Sequence, residues 1–171
     1  MALLRRAATT ATAAGAVLGL SAAPALACPK PITAKGPTYR YDAAFAKAKT
    51  LVVVTGGKTT TVRLAVSGLP SSTVGKTLGA HVHKNACGPK PADAGPHYQN
   101  PNAAPGAPPH GKEIWLELKV GKGGRAVAKA QVPWTIAKGS AGSVVVHANP
   151  TDHKTGDAGP RLLCTTVPFG S

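Results

Sequence analysis

Leu51-Val-Val-Val-Thr55 and Thr59-Thr-Thr-Val-Arg-Leu-Ala-Val66, separated by Gly56-Gly57-Lys58, decide the fold class of this chain. β-Branched residues dominate both runs, and their restricted χ1 angles suit a pleated surface better than a helix. The Gly-Gly-Lys connector supplies the backbone freedom of a tight reversal, so the segment reads as a β-hairpin. Ser67-Gly68-Leu69-Pro70 ends its second strand. Working outward, Leu78 to His83 reads as a third strand. From Glu113 to Val120, Ile114, Leu116, Leu118 and Val120 alternate with Glu113, Trp115, Glu117 and Lys119, which gives one core face and one wetter face. Ala126 to Val132, Ser143 to His147 and Leu162 to Val167 are further strand candidates. About eight short antiparallel strands, no convincing helix and long functional loops predict an all-β chain built as a Greek-key β-sandwich or barrel.

Composition agrees with that class and excludes others. The chain has 171 residues, enough for a single domain. Its 20 glycines and 16 prolines are too many breakers for a helix bundle, and its 43% hydrophobic content is too high for a disordered chain. Twenty Lys and Arg against six Asp and Glu give a formal charge of +14, which attracts anions without selecting one. Nucleic-acid binding is not expected, because the basic residues are spread along the chain, aromatics make up 4% and no binding motif is recognisable. Residues 88 to 111 hold seven prolines and four glycines in 24 positions, the pattern of a long, restricted loop that carries function.

Residues 1–27 open with Arg5-Arg6, continue through an uncharged Ala/Val/Leu-rich stretch and end in Ala25-Leu26-Ala27, which reads as a secretory signal peptide. Its threonines and weakly apolar alanines make a poor membrane span. Cleavage leaves a domain of residues 28–171 with a charge of +12 in a secreted, extracytoplasmic location. Cys28 would then be the first residue, as in lipoproteins, although Ala25 stands where a lipoprotein signal usually carries leucine. Lipid anchorage through Cys28 is the only membrane attachment the sequence suggests. With Cys28 so used, Cys87 and Cys164 form an even pair for which an oxidising compartment favours a disulfide.

The chemistry centres on histidine. His81 and His83 at strand spacing point to the same face, where two imidazoles can meet one metal ion. Around them, in order, stand Gly79-Ala80-His81-Val82-His83, Cys87, Ala94-Gly95-Pro96-His97, Val145-Val146-His147 and Gly156-Asp157-Ala158-Gly159-Pro160-Arg161-Leu162-Leu163-Cys164. This series resembles the copper/zinc superoxide dismutase family, as found in secreted bacterial forms, over roughly residues 60 to 170. The resemblance implies copper ligands at His81, His83, His97 and His147, a disulfide between Cys87 and Cys164, and superoxide as substrate, guided by Arg161. It also implies that His97 is the ligand that moves and carries a proton during turnover. Imidazole suits both copper oxidation states, and an arginine offers charge and donors to a small anion.

The sequence departs from the family pattern at the zinc site. Only His110 and Glu113 stand at comparable spacing, as His-x-x-Glu, and one histidine is missing. Only 13 residues separate His147 from Arg161, a short channel loop. Both features resemble the copper-only branch of the family, in which an acidic side chain supports the otherwise zinc-bound imidazole; that makes Glu113 a candidate partner of His97. The strand alternation opposes this by grouping Glu113 with Glu117 and Lys119 on the solvated face. His110 reads either as a metal ligand or as an exposed loop residue, so zinc is left open. His153 reads as a surface residue, Asp93 and Asp152 as turn formers, and Trp115 and Trp134 as packing. The leading expectation is an exported copper-dependent dismutase. The alternative is a non-catalytic protein that stores or delivers copper on the same fold.

Overall fold

The computed structural model describes residues 30–170, so the expected signal segment and Cys28 lie outside the described residues. Nine strands form two antiparallel sheets. The first orders β1 (Ile32–Gly36), β3 (Lys49–Thr55), β4 (Thr60–Ser67) and β7 (Ala126–Val132) as β1-β3-β4-β7. The second orders β2 (Tyr39–Arg40), β5 (Thr77–His83), β6 (Trp115–Lys119), β8 (Ser143–His147) and β9 (Arg161–Thr166) as β2-β9-β8-β5-β6. The chain crosses between sheets repeatedly, which produces the Greek-key sandwich.

The hairpin at residues 51–66 forms as its sequence dictates, with Leu51 opposite Ala65 and Thr55 opposite Thr61. Period-two alternation sends Val52, Val54, Val62, Leu64 and Val66 inward. They meet Leu78, Ala80, Val82, Leu116, Leu118, Val144 and Val146 from the second sheet in one core. Each of these valines and leucines contributes on the order of 1.5–3 kcal/mol through burial.

Two strands escaped the sequence reading. Ile32–Gly36 is broken by lysine and glycine, and Tyr39–Arg40 is two residues long; tertiary pairing with β3 and β9, rather than local pattern, makes them strands. A single four-residue helix, α1 (Pro109–Lys112), also appears, with proline at its start.

The second sheet has an unusual outer face. His81 and His83 of β5, Trp115 and Glu117 of β6, and Val145 and His147 of β8 all project there, away from the main core. The proline-rich loop covers part of it, packing Ala94 against Val145 and Cys164. A disulfide joins Cys87 to Cys164 and so fastens the start of that loop to β9.

Candidate metal centre

Four histidines converge on this covered face. One ring nitrogen from each of His81, His83, His97 and His147 lies within 4.8 Å of the others. β5 supplies two of them by its alternation. β8 supplies His147 at a bulge beside Val146, where the register shifts so that His147 faces Arg161. The loop supplies His97, held against β5 by a bridge to His83 and by the Tyr98 N–H donating to Val82 O at 2.8 Å. Gly95 is required there: its φ of 71° is left-handed, and a Cβ would sit 2.7 Å from the Asn85 amide nitrogen.

Hydrogen bonding settles which nitrogens face inward. His83 Nδ1 lies 3.0 Å from Gly95 O and His147 Nδ1 lies 2.9 Å from Gly159 O. A carbonyl only accepts, so both Nδ1 atoms carry the hydrogen and both Nε2 atoms present lone pairs. Those two Nε2 atoms are 3.3 Å apart. Two lone pairs facing each other at that distance repel, and a cation between them would relieve it. His81 Nδ1 is buried without any hydrogen-bond partner, an arrangement that is costly unless something binds it.

Electrostatics keep His81, His83 and His147 neutral and ready to ligate. Burial, reinforced by the other histidines and Arg161, lowers His81 to a pKa of about 2. Burial likewise lowers His83 to about 3 and His147 to about 4, only partly offset by their hydrogen bonds to Gly95 and Gly159. Four imidazoles with no carboxylate among the donors fit a copper ion and do not fit a hard cation such as magnesium.

Glu113 corrects the sequence reading. It lies just before β6, at the end of α1 with φ −109° and ψ 169°, and shares the face of Trp115 as the alternation groups it, but that face is covered here and not solvated. Its side chain is buried, with Oε2 2.8 Å from His97 Nδ1. Trp115 Nε1–H donates to the same oxygen at 2.8 Å, and Gln99 Nε2 donates to Oε1 at 2.9 Å. Burial by itself raises the Glu113 pKa, but these donors outweigh it and hold the carboxyl below its ordinary value.

Arg161 borders a pocket of about 430 Å³ that reaches the cluster at His97, with Lys84, Glu113 and Asp157 also on its wall. Its guanidinium donates to Pro91 O and Gly95 O, both at 2.7 Å. The Gly95 carbonyl therefore anchors both His83 and Arg161. His110 and His153 stand outside the four-histidine cluster, each beside Trp115, with ring centroids 6.3 and 5.7 Å from the indole. Asp93 and Asp152 are turn formers, accepting from the Lys90 N–H and from the Lys154 and Thr155 N–H groups. Thr151 and Gln99 were not foreseen; neither belongs to a motif, and only the folded loops bring them to the site.

A two-sheet Greek-key chain with four imidazoles gathered on the outer face of one sheet is a metal-binding β-sandwich protein. The chain belongs to the copper/zinc superoxide dismutase family, whose model matches residues 48–167. It is 37% identical over 125 residues to an extracellular copper-zinc superoxide dismutase of Schistosoma mansoni, covering 61% of this chain and 65% of that protein's length. Among solved structures, the clock protein EA4 shares the fold, with a TM-score of 0.53 at 15% identity, over 81% of this chain and 93% of that one. A variant of Candida albicans superoxide dismutase 5 gives a TM-score of 0.49 at 18% identity, over 81% and 90% of the two chains.

Proposed function

We propose that the protein is an exported, copper-dependent superoxide dismutase that works without zinc, with His81, His83, His97 and His147 as the copper ligands. The observation that carries this reading is the four-imidazole cluster, one of whose rings, His97, lines a pocket walled by Arg161 and is engaged by Glu113. Two superoxide ions and two protons would yield one dioxygen and one hydrogen peroxide. Bound copper would supply the one-electron oxidation and reduction. Arg161 would hold the anion by charge and by the guanidinium donors not spent on Pro91 and Gly95. The surplus of basic residues would speed capture, with a rate that falls as salt rises.

His97 would carry the proton. Its Nδ1 is engaged by Glu113, so Nε2 is the nitrogen free to take up and return a proton, and the adjacent carboxylate accommodates the ring when it is charged. A zinc ion bridged through His97 would need that same Nδ1. Among the described residues no second group of three or more potential metal ligands gathers around it, and both Glu113 oxygens already receive N–H donors, whereas structural zinc takes four ligands. The copper-holding alternative draws support from the bonds of Arg161 to the loop, a structural use that a storage protein would share. Turnover at one copper per chain supports the dismutase; copper bound without turnover, with zinc also supplied, supports storage or delivery.

Export rests on the character of residues 1–27 and on the extracellular description of the Schistosoma relative. The intact mass of the protein recovered outside the cytoplasm tests both cleavage before Cys28 and acylation of that cysteine.

A further inference from the structure

Glu117 was expected to be an ordinary solvent-facing charge on β6, and the structure gives it a specific contact. Gly79 of β5 lies directly opposite Glu117 in the sheet, and His81 is the next residue of β5 on that face, opposite Trp115. Gly79 has no side chain, and Thr151, from the loop after β8, fills the space. A Cβ on Gly79 would lie 2.7 Å from Thr151 Oγ1 and 2.9 Å from the Ala158 Cβ. The Gly79 N–H also donates to Asn149 O at 2.7 Å, which fixes that loop on the strand. Thr151 is buried at 5% exposure and its hydroxyl touches two groups. It donates to Glu117 Oε1 and lies 2.9 Å from His81 Nε2.

A hydroxyl has one hydrogen. The carboxylate only accepts, so that hydrogen goes to Glu117, and Thr151 Oγ1 can meet His81 only as an acceptor. Nε2 must then carry the hydrogen of the neutral ring, which leaves the lone pair on Nδ1. Nδ1 is a buried atom with no hydrogen-bond partner among the described residues. His81 is thus turned the opposite way from His83 and His147, whose Nδ1 atoms are bonded to carbonyls.

We propose that Glu117, acting through the Thr151 hydroxyl, is a positioning residue that holds His81 with its proton on Nε2 and its Nδ1 lone pair toward the metal cluster. This rests on the reading of His81 as a copper ligand for its purpose, but not for the tautomer itself. The relay differs from the Glu113 contact in lying on another histidine and in passing through a neutral hydroxyl. Supports of this kind typically tune affinity by roughly 10- to 100-fold.

The test needs no turnover. Nitrogen-15 NMR of the copper-free full-length protein reads the His81 tautomer directly, and copper affinity is measured by competition with a chelator. The proposal expects the Nε2–H tautomer in the parent protein. It expects Thr151→Val, which keeps the shape and loses the hydroxyl, to reduce that population and weaken copper binding by roughly 10- to 100-fold. Thr151→Ser should restore both, and Glu117→Leu, at an exposed position, should fall between. An Nδ1–H tautomer in the parent, or a Thr151→Val protein unchanged in both tautomer and affinity, overturns it. Should Thr151→Val not fold, Glu117→Leu decides alone: an unchanged tautomer population overturns the relay. An absence of dismutase activity would refute the proposed function while leaving the tautomer result standing.

Discussion

Glu113 Oε2 lies 2.8 Å from His97 Nδ1, so a carboxylate engages the imidazole nitrogen that would otherwise be free for a second metal ion. The same oxygen receives the Trp115 indole N–H and the other oxygen receives Gln99, which makes Glu113 an over-determined anchor for His97.

Glu113→Gln keeps the size and removes the charge, and turns an N–H₂ group toward donors that need an acceptor. The expected result is a folded protein less stable by about 1–3 kcal/mol, since charge-assisted bonds to a buried group are lost. Its turnover should be lower and its pH profile altered while His81, His83 and His147 still retain copper. Urea unfolding together with a pH series of dismutation checks this; behaviour identical to the parent would remove the role.

Arg161→Ala should lower dismutation several-fold at unchanged copper content and flatten its dependence on salt. Because the guanidinium also ties Pro91 and Gly95, metal content must be counted in the same sample. Arg161→Lys keeps the charge and loses the planar fork, so it should recover the salt dependence and only part of the rate. Equal rates in all three proteins would exclude an anion-guiding function.

The copper-free protein should be acid-sensitive. His81, His83 and His147 bind protons near pH 6.5 when unfolded but only near pH 2, 3 and 4 when folded. Above pH 6.5 both states are neutral and the rings make no difference. Below it the unfolded chain takes up protons that the fold refuses, so stability falls as pH drops from 6.5 toward 4, by up to about 1.4 kcal/mol per pH unit for each ring. Urea midpoints of the metal-free protein at about pH 7 and about pH 5 measure this; equal midpoints would contradict the buried, neutral cluster.

Reduction of the Cys87–Cys164 disulfide should loosen the loop that delivers His97. The bridge spans 77 residues, for which loop closure contributes about 4–5 kcal/mol. The reduced protein should unfold at lower denaturant and release copper faster, as followed by chelator transfer; an unaltered release rate would separate the disulfide from the site.

Much of this was legible in the sequence because it lay in local pattern. The β-branched runs around Gly56-Gly57-Lys58 specify a hairpin by themselves, and the spacing of His81 and His83 puts both rings on one face. What was hidden depended on where loops land. The alternation grouped Glu113 with Trp115 and Glu117, and all three do share one face, but parity cannot tell that the histidine cluster and a folded loop cover that face around Glu113 and bury it against His97. Thr151 could not be seen at all, because nothing in a loop threonine announces that a glycine two residues from His81 has left room for its hydroxyl. The edge strands β1 and β2 were missed for the same reason, since pairing rather than composition forms them.

The proposed centre holds a single metal ion, and Glu113 stands where a second would otherwise be held. Its most direct measurement is superoxide dismutation by protein loaded with copper alone, with copper and zinc counted in the same sample. The account predicts full turnover at one copper per chain and no zinc, with no gain when zinc is added. Silence with copper alone, followed by activity that appears only as zinc binds, would contradict it.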